Sequence, residues 1–256
     1  MTTRRHWGIG MLTILAIGPN LMLSVAVMFM QDLFQNSFAT GSYAPMWVVI
    51  FGNMAFALFT PIGPFLMRRI GLRSTYVPAM IVFLLGSLIC SWSPTIVWLG
   101  VGRFLEGMAA GTVFMMMIPA LILSFPAVRR NRVLAVLVAG FFGSVAMGPF
   151  LGSLTIMEDA WRWLFAAVGL LALAGALMGR NLPNALGPPP IQNGAAAGNH
   201  VFDTSGFLIT VATCLSLAIA LGNLDRWGLW SPQFSIPAII AVAFLRTFGL
   251  GRIVRL

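Results

Sequence analysis

Residues 103–111 of the 256-residue chain read Arg-Phe-Leu-Glu-Gly-Met-Ala-Ala-Gly and lie inside a long apolar segment. A charged pair and three small residues recur here at steps of three and four, at Arg103, Glu106, Gly107, Ala110 and Gly111. Residues at these steps share one side of an α-helix. The spacing therefore predicts a helix that presents a charged pair and small residues to the same neighbours.

A second apolar segment carries a ladder of small residues. Residues 140–153 read Gly-Phe-Phe-Gly-Ser-Val-Ala-Met-Gly-Pro-Phe-Leu-Gly-Ser. The small residues fall four positions apart, and a proline follows the third, at Gly140, Ser144, Gly148, Pro149 and Gly152. Such a face lets another helix approach closely, and the proline favours a local bend. Close packing alone would also account for the ladder, because small-residue faces occur throughout membrane bundles.

The composition is that of a membrane protein. The chain is 59% hydrophobic and 8% charged, whereas soluble domains are about 25% charged, and its mean hydropathy is +0.93. A spanning helix needs about 20 mostly apolar residues, and roughly eight such stretches can be placed along the chain. We predict an all-α integral membrane protein with a six-helix bundle followed by two further transmembrane helices.

Membrane topology explains the net charge of +9. The basic residues are all Arg, and most fall in alternate loops, at Arg4, Arg5, Arg68, Arg69, Arg73, Arg129, Arg130, Arg132, Arg180, Arg252 and Arg255. The opposite loops hold the acidic residues Asp32, Glu158, Asp159 and Asp225. By the positive-inside rule both termini are cytoplasmic. The charge therefore predicts a plasma (inner) membrane protein and no nucleic-acid partner.

A segment rich in Pro, Gly and Ala divides the predicted helices. Residues 183–204 include three consecutive prolines at 188–190 and have the composition of a mobile cytoplasmic linker. We expect residues 1–182 to form the six-helix bundle. Residues 205–256 would then form the two extra helices and a C-terminal tail.

Arg103 and Glu106 are predicted to lie within the hydrocarbon. Arg103 is seven residues into the fourth predicted helix, which places it about 10 Å below the outer end. An unpaired Arg at mid-membrane depth costs about 2.5–3.5 kcal/mol, and Glu106 is the nearest partner in the sequence. The pair should therefore face protein or water, either as a structural clamp between helices or as part of ion or substrate coupling.

Two amide side chains also fall within predicted spans. Asn20 follows Pro19 in the first helix, where Gly18 and Pro19 predict a point of bending, and Asn53 lies in the second helix. We expect Asn20 and Asn53 to line a substrate path. For Asn20, capping of a backbone group freed by Pro19 is an equally good interpretation.

Several motifs, in the same order, resemble the major facilitator superfamily and within it the fourteen-helix drug:proton antiporters. Residues 103–107 are similar to the helix 4 motif Arg-x-x-Gln-Gly, with Glu106 in place of Gln. Residues 144–153 resemble the helix 5 antiporter motif Gly-x-x-x-Gly-Pro-x-x-Gly-Gly. Residues 161–165 are similar to the Trp-Arg-Trp-Ile-Phe entry to helix 6, and residues 203–207 resemble the start of the extra helices.

The loop between helices 2 and 3 departs from the family pattern Gly-x-x-x-Asp-Arg-x-Gly-Arg-Lys. Arg68 stands at the acidic position, Arg69 and Gly71 match the pattern, Leu72 replaces Arg, and Arg73 stands at the final basic position. The Asp to which the family's conformational switch is attributed is thus replaced here by a cation.

The resemblance implies a secondary active transporter, performing proton-coupled efflux of amphipathic or cationic small molecules such as drugs. Glu106 would bind the proton, and Arg103 would modulate that binding. The resemblance ends after the first half and the linker helices, so we expect a second bundle to come from a homodimer partner or from a missing second half. The alternative is a truncated half-transporter that is inactive alone or acts as a regulatory membrane subunit.

An enzymatic function is not predicted. The sequence has no His cluster, no Ser-His-Asp set, no metal-spaced Cys and no phosphate-binding Gly loop. We therefore predict no cofactor and no metal. The expected partners are a small-molecule substrate, protons and the lipid bilayer.

Overall fold

The structure is a computed structural model, and it describes residues 3–41, 43–158, 160–182, 204–227 and 231–253. Every regular element in these ranges is an α-helix, which confirms the predicted all-α class. The chain divides into two compact units, Met1–Gly194 and Ala195–Leu256. Because residues 183–203 lie outside the described residues, the predicted linker and the domain boundaries at 182 and 205 stay predictions.

The first unit contains eight described helices. They are α1 (Thr3–Phe29), α2 (Gln31–Ser37), α3 (Ala44–Phe59), α4 (Ile62–Ile70), α5 (Leu72–Ser91), α6 (Ile96–Ser124), α7 (Ala127–Met157) and α8 (Trp161–Gly179). Among the described residues, α1, α5, α6, α7 and α8 are long and apolar enough to cross a membrane, and α3 with α4 makes a sixth when the bent pair is counted as one span. Counted in this way, the first unit has the six spans that the sequence predicts.

The second span bends where a proline interrupts it. We expect the helix to unwind near Pro61 and Pro64, but it breaks only at residues 60–61 and continues as α4 at an angle of 47° to α3. Pro61 cannot donate a backbone hydrogen bond, so the helix is weakest at that turn. By contrast, α1 runs unbroken through Pro19.

Two helices begin earlier than the sequence predicts, and one short helix was not predicted. The apolar stretches predict that the third and fifth spans begin at about Tyr76 and Val133, whereas α5 begins at Leu72 and α7 at Ala127. The first turns of both helices contain arginine and lie beyond the apolar stretch. Arginine limits how far that part of the helix enters the membrane, but it does not end the helix. The unpredicted α2 is held by Phe34, whose ring packs edge-on against Trp161 at 5.2 Å.

The α6 helix is central to the first unit, because it packs against α1, α3, α4 and α5. The α7 helix packs along α1, and α8 packs along α5. The α6 helix comes close to α3 at two glycines, because glycine has no Cβ. A Cβ on Gly107 would overlap the carbonyl oxygen of Gly52, and one on Gly111 would overlap that of Phe56. The small-residue side of residues 103–111 is therefore the surface on which α3 packs.

The second unit consists of α9 (Thr204–Trp227) and α10 (Pro232–Ile253), which pack against each other. These are the two further helices that the sequence predicts. The α9 helix is 24 residues long and α10 is 22 residues long.

Candidate functional site

A fully buried ion pair lies at the centre of the bundle. Arg103 and Glu106 are one turn apart on α6, and neither is exposed to solvent. Arg103 Nη1 donates to Glu106 Oε2 at 2.6 Å. The structure thus places two opposite charges from one helix face in direct contact inside protein, where the pair removes most of the cost of a lone buried charge.

Two serines from other helices form hydrogen bonds with the ion pair. Ser87 of α5 donates to Glu106 Oε1 at 2.5 Å, so both carboxylate oxygens are hydrogen-bonded. Arg103 Nη2 donates to Ser24 Oγ of α1 at 3.2 Å. The pair on α6 is therefore connected to α1 on one side and to α5 on the other.

A glycine on α3 provides the space that the guanidinium occupies. A Cβ on Gly52 would lie 3.2 Å from Arg103 Nη2 and 3.4 Å from Nε. The same glycine contributes the carbonyl oxygen that faces Gly107. Gly52 thus leaves room for the Arg103 guanidinium, and the missing Cβ of Gly107 permits the close approach of α3.

Two buried polar atoms near this region have no hydrogen-bond partner among the described residues. They are Arg103 Nε and Asn20 Oδ1. Asn20 is buried on α1, one helical turn before Ser24. Pro19 frees the carbonyl group four residues before it, which only the Asn20 amide nitrogen could cap, so both interpretations of Asn20 stay predictions.

Asn53 lies apart from the ion pair. It follows Gly52 on α3, but its side chain is exposed, whereas Gly52 is buried against α6. The structure therefore separates the two predicted path residues, with Asn20 inside the bundle and Asn53 on its surface.

The ladder of α7 packs against α1. A Cβ on Gly140 would lie 2.6 Å from the Ile14 side chain, and one on Gly148 would lie 2.8 Å from the carbonyl oxygen of Met22. Between them, Ser144 Oγ bonds to the Gly140 carbonyl of its own helix at 2.8 Å. The small residues spaced four apart on α7 therefore form a continuous contact with α1.

The C-terminal end of the ladder also packs against α1. A Cβ on Gly152 would lie 3.1 Å from the Ala26 carbonyl oxygen. Pro149 lies inside α7, which is continuous from Ala127 to Met157. The ladder and the ion pair both contact α1, so this helix connects the two predicted motifs.

The cationic loop lies between α4 and α5. Arg68 and Arg69 end α4, Arg73 lies in the first turn of α5, and all three are exposed. Gly71 joins the helices with φ 95° and ψ 162°, a backbone conformation that glycine adopts without steric cost. The loop is thus a tight turn with an exposed cationic surface, separate from the ion pair.

Sequence reasoning missed Ser24, Ser87 and Gly52. A weak signal existed for Ser24, because it lies four residues after Asn20 and therefore shares its side of α1. No sequence pattern singles out Ser87 or Gly52, since small residues are common in apolar helices.

Replacing Ser87 by Ala is expected to lower the free energy of unfolding by about 2 kcal/mol, because a hydrogen bond to a charged group is lost and Glu106 stays buried. Unfolding of the purified chain by SDS titration in mixed micelles measures this. Ser124→Ala is the matched control, since within the described part of the chain Ser124 Oγ donates to the Ala120 carbonyl of its own helix. Equal stability of the two variants would contradict the role of Ser87.

The fold and site define a polytopic α-helical membrane protein with a buried ion pair in its six-span unit. Its residues 9–254 match the Major Facilitator Superfamily. The chain belongs to this superfamily.

Its relatives include transporters of several bacteria. The chain is 39% identical over 231 residues to the uncharacterized MFS-type transporter YubD of Bacillus subtilis, covering 90% of this chain and 44% of YubD. It is 29% identical over 206 residues to the putative multidrug resistance protein MdtD of Citrobacter koseri, covering 77% of this chain and 40% of MdtD. A probable multidrug-efflux transporter of Mycobacterium tuberculosis is 29% identical over 158 residues, covering 60% of this chain and 33% of that transporter.

Solved structures share the fold. An auto-inhibited POT family peptide transporter matches with a TM-score of 0.53 and 18% identity, over 93% of this chain and 52% of that one. A bacterial homolog of the human lysosomal transporter Spinster matches with a TM-score of 0.51 and 16% identity, over 97% of this chain and 62% of that one. Of the three bacterial relatives named above by sequence, the chain spans less than half the length of each.

Proposed function

We propose that this chain takes part in secondary active transport, by proton-coupled efflux of amphipathic or cationic small molecules. The observation that carries the proposal is the buried Arg103–Glu106 pair, which is bonded to both α1 and α5. Ionisable residues inside a membrane bundle are expensive to bury, so they usually mark an ion or substrate pathway.

Glu106 is the proposed proton acceptor. A proton on its carboxylate would remove the charge that holds Arg103, and the guanidinium would then favour other partners. Because the two serines that bond the pair belong to different helices, this change would alter the contacts of α6 with α1 and α5. Proton binding would thereby be coupled to movement within the bundle.

The proposed direction and substrate class rest on relatives. Two of the similar proteins are named for multidrug resistance or multidrug efflux. The ladder of α7 supports the same proposal through its resemblance to the antiporter motif, in which Gly148 and Pro149 shape the helix. We further propose that the arginine-rich end of the bundle and both termini are cytoplasmic, in the inner membrane.

The test is efflux of a fluorescent lipophilic cation from everted vesicles that contain the chain. We expect Glu106→Gln to abolish proton-driven transport and Glu158→Gln to leave it unchanged, because Glu158 is exposed beyond the end of α7. Normal transport by Glu106→Gln would refute the proposal. If the pair is only a structural clamp, the neutral double variant Arg103→Gln, Glu106→Gln will transport normally.

A second candidate is a half-transporter that needs another bundle opposite it. Two observations favour it: the chain spans 44% of YubD, and α7 exposes large apolar side chains, with Phe142 71% and Phe150 58% exposed. A second copy or the remaining half of a longer protein would supply the opposing surface. Correct insertion without transport, followed by transport on co-expression of a six-helix second half, would support this candidate over independent activity.

A further inference from the structure

A cationic pocket and an apolar slot meet at the arginine-rich end of the bundle. The pocket has a volume of about 390 Å³ and is lined by Trp7, Phe125, Arg129, Arg132 and Val133. The slot has a volume of about 480 Å³ and lies between α1, α6 and α7. Trp7 and Val133 line both, so the two volumes are adjacent.

The pocket carries unpaired positive charge. The side chains of Arg129 and Arg132 are exposed and form no ion pair or hydrogen bond with any described residue. Arg130, between them, bonds instead to the Phe125 carbonyl through Nε at 3.2 Å. Two guanidiniums in one pocket attract an anion, and guanidinium matches the geometry of phosphate.

The slot is lined by apolar residues, among them Met11, Leu121 and Val136. It is open at the bundle surface, where Met11 is 61% and Val136 is 42% exposed. Trp7 stands where slot and pocket meet, packed edge-on against Phe125 at 5.5 Å. A Trp between a charged and an apolar region is typical of the membrane interface.

We propose that the pocket and slot together bind one anionic phospholipid, with its headgroup phosphate between Arg129 and Arg132 and an acyl chain in the slot. Basic pockets between transmembrane helices bind anionic headgroups in this way. A cationic substrate is disfavoured as the occupant, because both arginines would repel it. The proposal does not depend on proton coupling at Glu106.

The test is titration of the purified chain with dioleoyl phosphatidylglycerol or dioleoyl phosphatidylcholine, with bound lipid counted by native mass spectrometry. We expect one tightly bound phosphatidylglycerol, and roughly 30-fold weaker binding to the double variant Arg129→Gln, Arg132→Gln. The matched control Arg73→Gln, Arg180→Gln removes two exposed arginines of other helix ends and should bind like the parent.

A second variant separates a lipid from a free phosphate. Val136→Trp fills the slot, so it should abolish phosphatidylglycerol binding while leaving the arginines intact. Unchanged lipid binding by Val136→Trp, or displacement of the lipid by millimolar inorganic phosphate, would overturn the proposal in favour of a simple anion site. Unchanged binding by the arginine double variant would overturn it entirely, as would equal affinity for phosphatidylcholine.

Discussion

Glu106→Gln is expected to destabilise the bundle by about 3–5 kcal/mol, because it leaves the Arg103 guanidinium charged and buried without a counter-ion. Gln can still accept a hydrogen bond from Ser87, so the loss should come mainly from Arg103. The free energy of unfolding by SDS titration in mixed micelles measures the effect.

A double-mutant cycle identifies the cause of this loss. Arg103→Gln, Glu106→Gln removes both charges and should recover much of the stability, since a neutral pair needs no buried counter-ion. Glu158→Gln is the control for the chemical change itself and should be nearly neutral, because Glu158 is exposed. A double variant as unstable as the sum of its two single variants would show that the charges do not interact.

Gly107→Ala is expected to cost about 3 kcal/mol, at the upper end of the range for overpacking. Its methyl group would overlap the Gly52 carbonyl oxygen and lie 3.1 Å from the Phe56 backbone nitrogen. Both are backbone atoms, so α3 and α6 must move apart. The displacement would also disturb Arg103, since its guanidinium lies against Gly52.

The control for Gly107→Ala is the same substitution at Gly143. Gly143 lies inside α7, and a Cβ there would meet nothing within 4 Å. This variant should retain the parental unfolding free energy or gain slightly, because Ala favours a helix over Gly. The prediction fails if the two variants have the same unfolding midpoint in SDS.

The sequence by itself determined the helical spans and the pairing within each helix. Apolar length defines a span regardless of its neighbours, and the three-residue step places the side chains of Arg103 and Glu106 within reach of each other on any α-helix. The step of four from Gly140 to Gly152 likewise defines one face of α7. These features are local, so helix geometry alone determines them.

Only the tertiary structure decided which helices meet at those faces. It brings Ser87 and Ser24 to the ion pair, places Gly52 against the guanidinium, and leaves Asn53 on the surface. None of these follows from periodicity, because residues far apart in sequence meet only through helix packing. In a membrane, helix packing depends on close backbone approach and on the pairing of polar groups. The apolar composition of a helix does not show which other helix will provide either of these.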